Sequence, residues 1–253
     1  MTYLLLIIGC LTGVLTGLTG ASGMSVLISG LLLAGFDIHE VIGLTFAVTF
    51  FNTVAAIPPY LKEKKWDLVV TFAVGIPAFF AVFFGHSLGR GAPSGILSGV
   101  VMIALLGAGV RFLMKKKDGK SGQPPRQVPL VVLILLGVVL GTIMGIMGGG
   151  GSIFINLLLV FVFRLPIRVA LGSSIIIVGM AAIPGIILNY QGDQLDLLSA
   201  AVLIIPGMGA SWFASKWAHR VVERKIEVLL GAYLVIISLV LFYSRILSPA
   251  LGG

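Results

Sequence analysis

Long runs of apolar residues separated by short polar segments extend along the whole chain. A bilayer core about 30 Å thick needs roughly 20 apolar residues per helix, and most of the runs have this length. The pattern therefore predicts an all-α integral membrane protein. Eight apolar segments can be delimited, of which the first and the fifth are too long for one crossing: 3–33, 41–61, 68–88, 96–114, 128–163, 170–190, 197–217 and 228–247.

Both oversized segments contain a glycine cluster near their middle, GLTGASG at residues 17–23 and GIMGGGG at residues 145–151. Glycine at this density weakens a helix, and backbone without helical hydrogen bonds is tolerated at membrane depth only where protein or a water-filled cavity satisfies it. Each segment is therefore predicted to break at its cluster. A pair of short spans and a re-entrant hairpin both satisfy this pattern.

The two halves of the chain repeat one another. Four glycines of the first half recur in the second half at one constant spacing: Gly13, Gly17, Gly20 and Gly23 correspond to Gly141, Gly145, Gly148 and Gly151. A later set recurs at a spacing larger by one position: Gly43, Asp67 and Pro77 correspond to Gly172, Asp196 and Pro206. Residues 115–127 are too polar to bury. We therefore predict a transmembrane repeat at 1–114, a cytoplasmic linker at 115–127 and a second transmembrane repeat at 128–253.

Lysine and arginine indicate how the halves are oriented, because these residues concentrate in cytoplasmic loops. With eight unbroken spans, the 17 basic residues divide ten against seven between the two sides. If the chain instead turns at both glycine clusters, fifteen lie on one side and only Arg90 and Arg245 on the other. The sequence therefore predicts two inverted repeats of about five helical segments each, with the first element of each repeat broken or re-entrant and both termini outside.

Composition restricts the surroundings of the protein. A mean hydropathy of +1.14, 58% hydrophobic residues and 10% charged residues leave too little polar surface for a soluble globule. The lipid bilayer is the expected partner, and a multi-pass protein of the cytoplasmic membrane is predicted. We attribute the net charge of +8 to the Lys and Arg residues of cytoplasmic loops, which set the topology, rather than to nucleic-acid binding. No catalytic residue, metal site or cofactor is predicted, and self-association is left open.

The start of the chain and its cysteine content add little further signal. The first basic residue is Lys62, so the start lacks the charged region of a cleaved signal peptide and is kept as part of the fold. The single cysteine, Cys10, cannot form an internal disulfide.

The glycine breaks are where ligand binding is expected. A helix that starts at membrane depth presents free N–H groups and a positive dipole end, and nearby hydroxyls add further donors. A pocket at the midplane between the two breaks should prefer a small oxyanion. The predicted substrate-binding residues are Gly20, Ser22, Gly23, Ser25 and Thr45 in the first half and Gly148, Gly149, Gly150, Gly151, Ser152, Ser173 and Ser174 in the second.

Several of these polar and small residues have a purely structural alternative. Hydroxyls such as Thr45, Ser173 and Ser174 can bond to the backbone of their own helix. Asn52 and Asn189, which are amides in apolar segments, are candidates for contacts across helices or to substrate. Glycines spaced by four are predicted to let helices pack closely, namely Gly13, Gly17, Gly137, Gly141 and Gly145.

The motif GIMGGGGS at 145–152 followed by ALGSS at 170–174, and the related pair GLTGASG at 17–23 and VIGLT at 41–45, resemble the TauE/SafE sulfite exporter family. The likeness covers nearly the whole chain. The first copy departs from the family pattern with Ala21 and Ser22 where the second has Gly149 and Gly150, which bears on the substrate more than on the fold. The resemblance implies transport of sulfite, sulfonates or related small sulfur-containing anions, with export as the expected direction.

Two other functions compete with transport. A passive anion channel is the more similar of the two to a transporter. An intramembrane serine hydrolase would use Ser22 or Ser152 as nucleophile and His39 or His86 as base. The hydrolase lacks a third group to orient the base, and the duplicated motif has no second histidine at an aligned position.

Overall fold

A computed structural model of the protein describes residues 2–20, 23–36, 38–89, 128–147, 152–191 and 197–218, together with Val228, Ala232, Val235 and Ile236. These residues form helices and no strand, which confirms the predicted all-α class. The described part contains five helices long and apolar enough to cross a membrane. Ser22, the glycines at 148–151, the linker at 115–127, the span at 96–114 and most of the span at 228–247 lie outside the described residues. The boundaries predicted for the two repeats stay a prediction.

Eight α-helices follow one another in the described residues. In the first half they are α1 (Thr2–Thr19), α2 (Met24–Leu33), α3 (Ile38–Lys62) and α4 (Leu68–Gly89). In the second half they are α5 (Leu130–Met147), α6 (Ser152–Leu157), which continues as a π-helical stretch (Leu158–Val162), α7 (Ile167–Gln191) and α8 (Leu197–Ala218). The first oversized apolar segment is thus interrupted between Thr19 and Met24.

The helix boundaries recur at the two spacings that the repeated residues have in the sequence. The starts of α1 and α2 are related to those of α5 and α6 by the spacing that relates Gly13 to Gly141. The starts and ends of α3 and α4 are related to those of α7 and α8 by the spacing that relates Gly43 to Gly172. The residues before α3 and α7 correspond in the same way, since Gly35 and its equivalent Arg164 both have a left-handed backbone, with φ of 89° and 53°. Local structure therefore follows the sequence repeat.

The chain divides into two compact units. One unit comprises Met1–Arg90 and Pro124–Arg220 and holds all eight helices, and the other comprises Gly91–Gln123 and Val221–Gly253. Within the first unit, the main contacts pair helices from different halves of the chain: α1 with α8, α4 with α5 and α7, and α3 with α7 and α8. The two halves are therefore interleaved rather than packed as separate bodies.

Glycines allow two of these helix pairs to meet backbone to backbone. Along α1, Gly9, Gly13 and Gly17 face Leu203, Gly207 and Ser211 of α8 in that order. Along α5, Gly137, Gly141 and Gly145 face Val74, Ala78 and Val82 of α4 in that order. Both pairs therefore run parallel, and a Cβ atom at any of these glycines would overlap backbone atoms of the facing helix. The packing function predicted for the glycines spaced by four is confirmed.

The central pair, α3 and α7, runs antiparallel. Gly172 near the start of α7 lies against the Lys65 backbone just beyond the end of α3, whereas Gly185 farther along α7 lies against Phe46 near the start of α3. Both helices are largely buried, while α1, α4, α5 and α8 expose large apolar side chains on their outer faces. Exposed Leu, Ile, Val and Phe in such numbers are typical of a surface that faces lipid.

The short helix α2 folds back against α1. Gly23 lies against Thr12 and Gly30 lies against Ile8, so α2 runs antiparallel to the first half of α1. Its 10 residues span about 15 Å, half the thickness of a bilayer core of about 30 Å. Leu27 and Leu31 of α2 belong to a buried cluster that also includes Leu5 and Ile8. Because Thr12 is near the middle of α1, α2 begins about halfway along that span.

Candidate functional site

The backbone conformation is defined where the chain leaves α1 and enters the interruption. Gly20 has φ of 63°, a left-handed conformation that glycine adopts at low cost. Its N–H donates to the Thr16 carbonyl at 3.0 Å, and the Gly23 N–H donates to the Thr16 hydroxyl at 3.3 Å. The chain therefore leaves the α1 axis at Gly20 and has returned to the side of α1 by Gly23.

Side chains from three other helices hold the last turn of α1. The Tyr60 hydroxyl of α3 donates to the Gly17 carbonyl at 3.1 Å. The Asn156 side-chain nitrogen of α6 donates to the Thr19 carbonyl at 2.9 Å. The Ser174 hydroxyl of α7 donates to the Gly20 carbonyl at 3.0 Å. We call residues 17–20 with these three donors the break tip. The donors satisfy carbonyls that the end of a helix leaves without partners.

Of the predicted substrate-binding residues that the structure describes, two come together. Gly20 and Ser174 meet at the break tip, and Ser174 also donates to the Leu171 carbonyl of its own helix at 2.8 Å. Ser173 points elsewhere: its hydroxyl oxygen accepts the backbone N–H of Asp67 at 2.9 Å, in the connection between α3 and α4. Ser174 is thus a predicted hydroxyl that reaches the first interruption.

Thr45 lies apart from these residues. It is buried on α3, and its hydroxyl donates to the Val41 carbonyl of the same helix. Because α3 and α7 are antiparallel, residue 45 and the start of α7 lie at opposite ends of the central pair. Back-bonding, the structural alternative for this threonine, describes its contact. Ser25 and Ser152 occupy the first turns of α2 and α6.

Two of the three donors at the break tip were not predicted from the sequence. Asn156 is an amide in an apolar run, the same signal that singled out Asn52 and Asn189. Tyr60 carried no such signal, because a tyrosine next to a basic loop is typical of the membrane interface. Of the two amides that were considered, Asn189 donates to Gly185 of its own helix at 2.7 Å. The backbone carbonyl of Asn52 accepts the Ser211 hydroxyl at 2.8 Å.

A positive charge lies beside the break tip. Arg168 is half-buried in the first turn of α7, one turn before Leu171, whose backbone lies against Gly20. Within the described residues, no group of three or more His, Cys, Asp or Glu side chains could hold a metal ion. The groups described at and near the break tip are backbone N–H and carbonyl groups, three neutral side-chain donors and the guanidinium of Arg168. The three side-chain donors are engaged by carbonyls of the α1 end, and the residues described there offer no nucleophile paired with a base.

These features define the class of the protein. It is a helical, multi-pass membrane protein in which one helix begins partway along a span, an arrangement found in secondary transporters. A family profile described as Sulfite exporter TauE/SafE matches residues 5–241. The chain therefore belongs to the TauE/SafE sulfite exporter family, as the sequence motifs suggested, and is a membrane transporter.

Two curated relatives from Bacillus subtilis (strain 168) are similar over most of the chain. One, named "Probable membrane transporter protein YdhB", is 22% identical over 221 residues, covering 85% of this chain and 90% of the relative. The other, named "Probable membrane transporter protein YjnA", is 22% identical over 251 residues, covering 93% of this chain and 98% of the relative. No solved structure matches the chain significantly. Membership of a transporter family disfavours the serine hydrolase.

Proposed function

We propose that the two halves are inverted repeats in the membrane. Helix boundaries recur at the spacings of the sequence repeat, and the helix pairs exchange accordingly, since α1 packs on α8 as α5 packs on α4. The opposite orientation of the two halves is supported by α3 and α7, which correspond in the repeat and run antiparallel. If both cross the bilayer, a two-fold operation that reverses their direction has its axis in the membrane plane.

The distribution of basic residues then favours a cytoplasmic location for the connection after α3. We expect a cysteine at Lys64 or Asp118 to react with a membrane-impermeant maleimide only from the cytoplasmic side, and a cysteine at Asp193 only from the outside. The background is Cys10→Ser, because Cys10 is exposed. Labelling of positions 64 and 193 from the same side would contradict the inverted arrangement.

We propose further that the protein moves small sulfur-containing anions, such as sulfite or sulfonates, out of the cell. The observation that carries this proposal is the start of α2 beside Thr12, halfway along α1. The first N–H groups of a helix that begins there have no helical partners and carry a partial positive charge at membrane depth. Arg168, in the first turn of α7 near the break tip, adds a positive charge.

Export is favoured by the membrane potential. Outward movement of one negative charge across an interior-negative potential of 100 mV is favourable by about 2.3 kcal/mol. Proton-driven import commonly uses a carboxylate within a span. Among the described residues, the acidic side chains are Glu40 in the first turn of α3, and Glu63 and Asp67 in the connection after it. A carrier driven by the potential alone is consistent with this distribution.

Flux into proteoliposomes tests the transport proposal. We expect labelled sulfite to enter saturably and to accumulate transiently by counterflow when the vesicles are preloaded with unlabelled sulfite. Sulfate, thiosulfate, taurine and sulfoacetate are compared as competitors. Linear, non-saturating flux without counterflow would instead identify a passive channel, and sulfite flux equal to that of empty liposomes would refute the proposed substrate.

A further inference from the structure

Asn156 carries a hydrogen-bond acceptor that the described protein leaves unused. Its side chain is 1% exposed, and its Nδ2 atom donates to the Thr19 carbonyl at 2.9 Å. Its Oδ1 atom is buried and has no hydrogen-bond partner among the described residues. Because a carbonyl only accepts, the amide nitrogen must be the atom that faces Thr19. The identity of the unpartnered atom as oxygen is thereby fixed.

An unpartnered amide oxygen is costly in this location, since bulk water does not reach the bilayer core to replace a missing partner. Capping the Thr19 carbonyl does not require it. The Ser174 hydroxyl caps the adjacent Gly20 carbonyl without leaving a buried acceptor behind. The described protein leaves the amide oxygen of Asn156 without a partner, as it does that of Asn52, and a donor that arrives from elsewhere would satisfy it.

We propose that Asn156 Oδ1 accepts a hydrogen bond from the transported anion, so that the site prefers anions that carry an O–H or N–H group of their own. This inference rests on the proposed function. A fully deprotonated oxyanion offers only acceptors and cannot satisfy the amide oxygen. A protonated oxyanion, or a sulfonate with a hydroxyl or amino group, offers its negative oxygens to backbone N–H groups and its donor to Asn156.

Two sulfonates of similar size test the preference. 2-Hydroxyethanesulfonate carries a hydroxyl where propane-1-sulfonate carries a methyl group. Each is used to compete with labelled sulfite in proteoliposomes of the full chain. We expect the hydroxyl compound to inhibit at a roughly tenfold lower concentration in the wild type, the effect of one hydrogen bond. In Asn156→Leu the two should inhibit equally. Asn189→Leu, a second buried asparagine whose amide bonds within its own helix, is the matched control and should keep the ratio.

The outcomes separate this inference from the function on which it rests. Sulfite flux equal to that of empty liposomes refutes the proposed function. Sulfite flux with equal inhibition by both sulfonates in the wild type, or with neither inhibiting, refutes only the role of Asn156. An unchanged ratio in Asn156→Leu would overturn the proposal, and flux that sodium stimulates in the wild type but not in this variant would assign the oxygen to a cation instead. If size-exclusion chromatography shows that Asn156→Leu does not fold, Asn156→Ala is measured in its place.

Discussion

Gly13→Ala is expected to destabilise the protein by about 3 kcal/mol, at the upper end of the usual cost of overpacking a well-packed interior. A Cβ atom at residue 13 would overlap the carbonyl oxygen of Gly207 and lie 2.8 Å from its carbonyl carbon and 2.9 Å from its Cα atom. These are backbone atoms of α8 and cannot move aside as a flexible side chain does. The midpoint of thermal unfolding in detergent, followed by the intrinsic fluorescence of the purified protein, measures the effect.

Gly209→Ala is the matched control for this prediction. Gly209 lies on the same helix as Gly207, two positions along, but an added Cβ would meet no atom within 4 Å. Alanine there should leave the unfolding midpoint unchanged or raise it slightly, because alanine is the better helix former. Equal midpoints for Gly13→Ala and Gly209→Ala would show that the α1–α8 contact does not depend on close backbone approach.

The same argument applies to the other half of the chain. Gly141 is the repeat equivalent of Gly13, and its Cβ would overlap the backbone of Ala78, which is the repeat equivalent of Gly207. Gly141→Ala is therefore an internal replicate of Gly13→Ala and should lower the midpoint by a similar amount. A large difference between the two would indicate that the halves use their glycines differently.

The helices and their recurrence along the chain were predictable because each depends on local or repeated features. Apolar run length located the spans, and the two constant spacings in the sequence anticipated helix boundaries that recur in the same way. Which glycines serve packing was also predictable, since a spacing of four places Gly13 and Gly17 on one helix face. Each of these properties follows from the residues of one helix or from a comparison of the two halves of the sequence. None of them requires knowledge of how helices are rotated against one another.

The break tip could be predicted only in part, because it is assembled from four helices that are distant in sequence. The glycine break itself indicated Gly20, and the small hydroxyls indicated Ser174. That Ser173 instead accepts from Asp67 while Ser174 reaches Gly20 depends on the rotation of α7 against α3 and α4. Sequence does not give this rotation when both residues are serine. Tyr60 was missed because its inward orientation follows from the packing of α3, not from its neighbours in the chain.

Gly20→Ala is expected to reduce transport roughly tenfold or more, with a smaller effect on stability. A left-handed backbone costs a residue with a Cβ atom about 1–2 kcal/mol. The Cβ would also lie 2.8 Å from the Ser174 hydroxyl oxygen and 2.9 Å from the Leu171 carbonyl oxygen. The serine must then release the Gly20 carbonyl, which leaves the break tip without its contact to α7. Initial rates of sulfite flux, normalised to the amount of folded protein, measure the loss.

Gly35→Ala separates the two causes of that loss. Gly35 also has a left-handed backbone, with φ of 89°, but a Cβ there would meet no atom within 4 Å. It therefore reproduces the backbone cost without any disturbance of the break tip. Loss of transport in Gly20→Ala together with near-normal flux in Gly35→Ala would locate the effect at the contact between Gly20 and α7. Equal loss in both variants would instead mean that backbone strain alone disables the protein, and the break tip would have no special part in transport.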